Sequence, residues 1–138
     1  MKVYCAGPIR GDRSYQQYFQ ELVQLVQKMG HVPLTELAPQ SEERAAQDDQ
    51  TIYLRDMGWL DQAHALLAEV SAPSLGVGYE ISYALHVRKI PVLCLCHRSS
   101  GPISAMISGN FTELLTLETY ATKGELEEKL RVFIGKYA

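Results

Sequence analysis

The chain has 138 residues, 46% of them hydrophobic and 21% charged, with a formal net charge of −3 at pH 7. That is the size and make-up of one domain with one core, residues 1–138. The negative balance excludes a non-specific nucleic-acid binder, which needs a basic face to displace counterions.

"MKVYCAGPIRG" enters directly on an apolar, strand-like run, with no secretory pattern. The longest apolar stretches, such as "IPVLCLC", fall far short of the roughly 20 residues that cross a bilayer. Neither a membrane nor a nucleic-acid partner is expected. Cys5, Cys94 and Cys96 sit in strand-like segments and read as buried free thiols of a reducing compartment. The expected location is the cytoplasm, with the nucleus open to it in a eukaryote.

"KVYCA" is the first predicted strand. A helix follows over about 14–29, with Tyr15, Tyr18, Phe19, Leu22, Val23, Leu25 and Val26 recurring every three or four residues. Gly30 is placed to end it, and "HVPLT" is the second strand. The polar stretch 36–50 is expected as a loop, and 50–62 as a helix with Ile52, Tyr53, Met57 and Leu60 inward. "HALLAEV" is strand three, "SAPSLGVG" a loop, and a helix runs from about Tyr79 to Arg88. "IPVLCLC" is a continuous β-rich run typical of a strand buried on both faces. "FTELLTL" and a closing helix over 122–137 complete the pattern.

Five strands alternating with helices predict an α/β fold: a single doubly wound, flavodoxin-like parallel sheet with helices on both faces. Ligands of such sheets lie beyond the carboxyl ends of the strands where strand order reverses, here between strands one and three. The loops leaving those strands are "AGPIRGDR" and "SAPSLGVGYE".

In the first loop, backbone N–H groups could cradle a phosphate, with Arg10 adding charge. A tight turn with a solvent-facing Arg fits equally well. Neither a dinucleotide fingerprint nor a P-loop is present. In the second loop, Gly76 and Gly78 let backbone approach a ligand, and Ser74 offers a hydroxyl or a helix cap. Glu80 stands at the expected start of a helix, where it either complements the dipole or is held ready to attack an electron-poor centre.

A second acid sharpens the choice. Asp56 shares a helix face with Ile52 and Leu60, a costly place for a carboxylate without a partner. Two such carboxylates suit chemistry at a sugar anomeric carbon, one attacking and the other handling protons or orienting the first. Tyr4 could hold the nucleophile through its hydroxyl or be an ordinary core tyrosine. Asp61 reads as surface. The acyl-hydrolase elbow is absent, and His31, His64, His86 and His97 lack zinc-ligand spacing. "SAMIS", Ser104 to Ser108 with Met106 inside it, is a polar turn that could reach a phosphate.

"VYCAGPIRG", "RDMGWLDQAHALLAEVSAPSLGVGYE", "IPVLCL" and "SAMI" together resemble the 2'-deoxynucleoside 5'-phosphate N-hydrolase family of the nucleoside 2-deoxyribosyltransferase superfamily. The resemblance spans Val3 to Ile107 and implies a hydrolase of the N-glycosidic bond that releases a base and 2-deoxyribose 5-phosphate. It casts Glu80 as the nucleophile forming a covalent glycosyl intermediate, Asp56 as the assisting acid and Tyr4 as the tyrosine positioning the nucleophile. Substrate binding is implied for Gly7, Pro8, Ile9, Arg10, Gly11 and Arg13 around the sugar phosphate, and for Ser74, Gly76, Gly78 and Met106. Ser104 is implied to reach the neighbouring subunit's phosphate, hence a homodimer, and neither metal nor cofactor is needed. Pro8 and Leu37 depart from the hydrolase pattern, which bears on substrate choice. A base-exchanging deoxyribosyltransferase, a ribonucleotide N-glycosidase, a non-catalytic nucleotide-binding module and a flavin carrier remain the alternatives.

Overall fold

The computed structural model describes residues 1–8, 14–36 and 46–138. Among them, five strands form one parallel sheet in the order β2-β1-β3-β4-β5: β1 (Lys2–Ala6), β2 (Val32–Leu34), β3 (Ala65–Glu69), β4 (Val92–His97) and β5 (Leu115–Tyr120). The expected doubly wound order is thus observed, and its reversal lies between β1 and β3, where Val3 pairs with Ala65 and Ala6 with Ala68.

Alternation along each strand sorts the core into two layers. Val3, Cys5, Leu67, Leu93, Leu95 and Tyr120 face α1 (Gln16–Lys28) and, in the closing part of the chain, the helix Lys123–Tyr137. Tyr4, Ala6, Leu66, Ala68 and Cys94 face α2 (Asp49–Gln62) and α3 (Leu75–Tyr83). Chain order then gives α4 (Ala105–Ser108) and α5 (Lys123–Tyr137). All five residues of β3 are buried, the expected state of a strand covered on both faces.

Local chemistry sets the helix ends. Asp48 caps α2 by accepting from the Thr51 N–H at 2.7 Å, and Thr122 caps α5 by accepting from the Glu125 N–H at 3.2 Å. Gly30, with φ of 85°, takes the left-handed turn after α1.

Four expectations need correction. The third helix begins at Leu75, not Tyr79, because Ser74 accepts from the Val77 N–H at 3.3 Å and starts the helix ahead of both glycines. Its last turn, Ala84–Arg88, widens to π form and closes on left-handed Lys89. Strand five runs over 115–120 rather than 111–117: the Asn110 side chain accepts from the Thr112 N–H at 2.9 Å, holding a turn that leaves Phe111 exposed. Tyr53, expected inward, is half exposed because the α2–α3 surface opens into a cleft there. The segment 104–108 is a short helix rather than a turn, with Ser104 as its cap.

Candidate active site

β1 ends in Tyr4, Cys5 and Ala6, and its alternation turns Tyr4 toward α2 and α3. Asp56, in the middle of α2, and Glu80, in the second turn of α3, come to the same place. The three residues line one narrow recess of about 30 Å³ together with Gly7, Thr35, Glu36, Arg55 and Trp59. On its other side the carboxylate pair opens on a cleft of about 390 Å³ between α2 and α3, lined by Tyr53, Met57, Leu75, Gly76 and Tyr79 among others. The two acids therefore stand between a tight recess and a space of ligand size.

Electrostatics separates these groups. Burial, and then the nearby Asp56 charge, pushes the Glu80 carboxyl up to about 8, opposed by the hydrogen bond from Tyr4. Burial also drives the Tyr4 phenol well above its usual range, and the Glu80 and Asp56 charges add to this. Tyr4 is thus a standing hydrogen-bond donor to Glu80. The expected helix start at Glu80, where the dipole would favour the carboxylate, is not observed. Because α3 begins five residues before Glu80, the carboxyl lies beyond the strongest part of the dipole, and desolvation dominates.

The remaining expected residues divide. Gly7 lines the recess, and Pro8 beside it is buried. Gly76 lines the α2–α3 cleft; a Cβ added at Gly76 or Gly78 would meet nothing within 4 Å, so both glycines border open space. Ser74, Gly78, Ser104 and Met106 line a third and larger cleft of about 650 Å³ between α3 and α4, mostly apolar and shared with Ile103, Ile107 and Leu85. Ser74 and Ser104 thus line one cleft, and neither lines the recess that holds the carboxylates. Ile9, Arg10, Gly11, Arg13 and Leu37 lie outside the described residues. Asp61 is a surface residue that accepts from the Tyr83 hydroxyl at 2.7 Å.

Three residues escaped the sequence reading. Arg55 donates to Asp56 through Nε at 3.0 Å and Nη2 at 2.9 Å, and to Glu36 through Nη1 at 2.8 Å. Its guanidinium lies 4.6 Å above the Trp59 ring. The spacing Arg55–Trp59 is i, i+4 and could have suggested the stacking. Nothing in the spacing of Glu36 and Arg55 announces their pairing. Among the described residues, no group of three or more His, Cys, Asp or Glu side chains is arranged to hold a metal.

Fold and site together define a doubly wound α/β protein with an acidic pocket at the carboxyl edge of its sheet. The chain belongs to the nucleoside 2-deoxyribosyltransferase family, whose model matches residues 3–115. It is 46% identical over 113 residues to the 5-hydroxymethyl-dUMP N-hydrolase of Mus musculus, covering 78% of this chain and 64% of that one. It is 42% identical over 115 residues to the 5-hydroxymethyl-dUMP N-hydrolase of Esox lucius, covering 79% of each. Among solved structures it resembles a Clostridium botulinum CMP N-glycosidase, with a TM-score of 0.69 over 96% of this chain and 99% of that one, at 14% identity. That last likeness speaks for the fold.

Proposed function

We propose that this protein hydrolyses the N-glycosidic bond of 2'-deoxynucleoside 5'-monophosphates, releasing the base and 2-deoxyribose 5-phosphate. The observation that carries the reading is the meeting of Tyr4, Asp56 and Glu80 in one recess beside a ligand-sized cleft. The relatives' names supply the substrate class. In this reading an ionised Glu80 attacks C1' and the C–N electron pair leaves with the base. Water then opens the glycosyl–Glu80 ester. Tyr4 donates to Glu80 and fixes its orientation, and Asp56 handles the proton traffic. Lacking the electron-withdrawing 2'-hydroxyl, a deoxy sugar reaches its oxocarbenium-like transition state more readily, so a carboxylate suffices.

The phosphate falls to Ser74 and the N-terminus of α3, with Ser104 supplied by a second subunit. Leu75 and Met106, exposed by 97% and 82%, line that cleft, Phe111, exposed by 98%, lines an adjoining hollow that shares Met106 and Asn110, and the three support a homodimer that would cover them. The free, buried Cys5, Cys94 and Cys96 support a reducing compartment such as the cytoplasm.

A chromatographic assay against deoxy- and ribonucleoside monophosphates and unphosphorylated deoxynucleosides, with and without a second base, tests the reading. Base release from the deoxy monophosphates, lost in Glu80→Ala, is the expected result. Base exchange on unphosphorylated nucleosides would make the protein a transferase instead. A folded protein silent on every substrate would make it a binding module.

A further inference from the structure

Arg55 has no part in the chemistry set out above, yet the recess is built around its charge. Nε and Nη2 both donate to a single oxygen of Asp56, at 3.0 and 2.9 Å. Nη1 donates to Glu36 Oε1 at 2.8 Å and to Gln47 Oε1 at 3.2 Å. One side chain thereby joins α2 to the segment after β2 and to the approach to α2. It is also three-quarters buried: the side chains of Arg55 and Asp56 keep 24% and 25% of their exposure.

Adjacent residues of a helix point about 100° apart, so this pair forms only because the long Arg side chain folds back over its neighbour. Folding back costs rotamer freedom. The contact with Trp59 and the bond to Glu36 offset that cost and hold the guanidinium in place.

The arrangement answers a difficulty in the carboxylate pair. Asp56 and Glu80 are like charges in a partly desolvated recess, and such pairs share a proton that either partner can hold. The ionisable groups around Asp56 are Arg55 and Tyr53 on α2, Tyr4 on β1, Glu36 after β2, and Glu80 and Tyr79 on α3. Among these described residues Arg55 is the cation, and it sits on Asp56.

The geometry points to Arg55 as a positioning residue for the proposed hydrolysis: by gripping one oxygen of Asp56 it sets the two acids apart at rest, Asp56 ionised and Glu80 protonated, so that Asp56 takes the proton Glu80 sheds as it attacks and passes it to the leaving base. This inference rests on the hydrolase reading for its activity test and stands apart from it in a second measurement.

The first measurement is single-turnover base release by wild type, Arg55→Gln, Asp56→Asn and the double variant, each shown to be folded by thermal melting. Arg55→Gln is expected to slow the step at saturation by about 10- to 100-fold, with substrate affinity changed by less than about threefold. In the Asp56→Asn background it is expected to have no further effect, because its route runs through Asp56. Losses that simply add would overturn the inference. The second measurement is carboxyl 13C NMR across pH 5 to 10, which needs no turnover. In Arg55→Gln the Asp56 signal is expected to move its titration to higher pH and merge with that of Glu80. Arg55→Lys, which keeps the charge, is expected to leave it as in wild type. An Asp56 signal indifferent to Arg55→Gln overturns the inference even if base release follows expectation. A wild type that releases no base defeats the hydrolase reading and leaves Arg55 to be decided by the NMR titration.

Discussion

On the proposed mechanism, Glu80 attacks as an anion from a place that favours its neutral form. Its carboxyl, ordinarily near 4.5, is raised to about 8 by burial and by Asp56. The attacking form of the free enzyme is therefore a minority at neutral pH, and kcat/KM is expected to rise as pH increases through about 7 to 8. A profile flat from pH 6 to 9 would contradict the nucleophile assignment. The same shift has a sign for stability. A carboxyl whose pKa is raised by folding costs nothing while protonated, so below its unfolded value the fold is unburdened; stability is lost as pH rises from about 4.5 toward 8. Glu80→Gln, neutral at every pH, is expected to melt several degrees above wild type at pH 9 and level with it near pH 4.5. Calorimetry at the two pH values checks this.

At the scale of the element, α3 carries Glu80 and borders both larger clefts, and it was the least legible part of the sequence. The apolar runs of β3 and β4 announced themselves, since a strand buried on both faces has no polar face to confuse the pattern. The start of α3 did not, because Gly76 and Gly78 argue against a helix by propensity. The Ser74 cap and the burial of Val77 and Ile81 outweigh them. Ser74→Ala is expected to cost about 1 kcal/mol of stability through the lost cap and, on the phosphate reading, to raise KM; urea unfolding and steady-state kinetics separate the two effects. Asp56 could be named from its place on an apolar helix face and Glu80 from the glycine-rich loop before it, while Tyr4 took its role from the family resemblance. The Arg55–Glu36 bond could not, because it joins residues 19 apart across two elements, and no local period encodes such a pairing. Gly7 shows a different constraint: a Cβ there would stand 2.5 Å from the Phe19 ring. Gly7→Ala is expected to destabilise by about 1–3 kcal/mol, because Phe19 projects from α1 into the packed core and has little room to yield. Urea midpoints check this as well.

For the whole molecule, the apolar rim around the α3–α4 cleft is the feature that a single copy leaves unexplained. If a second copy covers Leu75, Met106 and Phe111, sedimentation equilibrium gives twice the chain mass. Met106→Asp with Phe111→Asp is then expected to give a monomer with weakened phosphate-dependent binding. A wild type that sediments as a monomer while still hydrolysing nucleotide would remove the shared-site part of the proposal.

The sheet order also governs how the chain comes together in time. β1 lies at the centre of the site, but its partner β3 stands 62 positions later in the chain, with Val3 beside Ala65. At ribosomal rates of about 5–20 residues per second, the strand that carries Tyr4 waits roughly 3 to 12 seconds before its neighbour exists. During that interval "VYCA" is an apolar strand with an unpaired edge, and its early partner is the three-residue β2. Assembly of the recess thus waits on a non-local pairing, the kind of contact whose loop-closure cost comes before its reward.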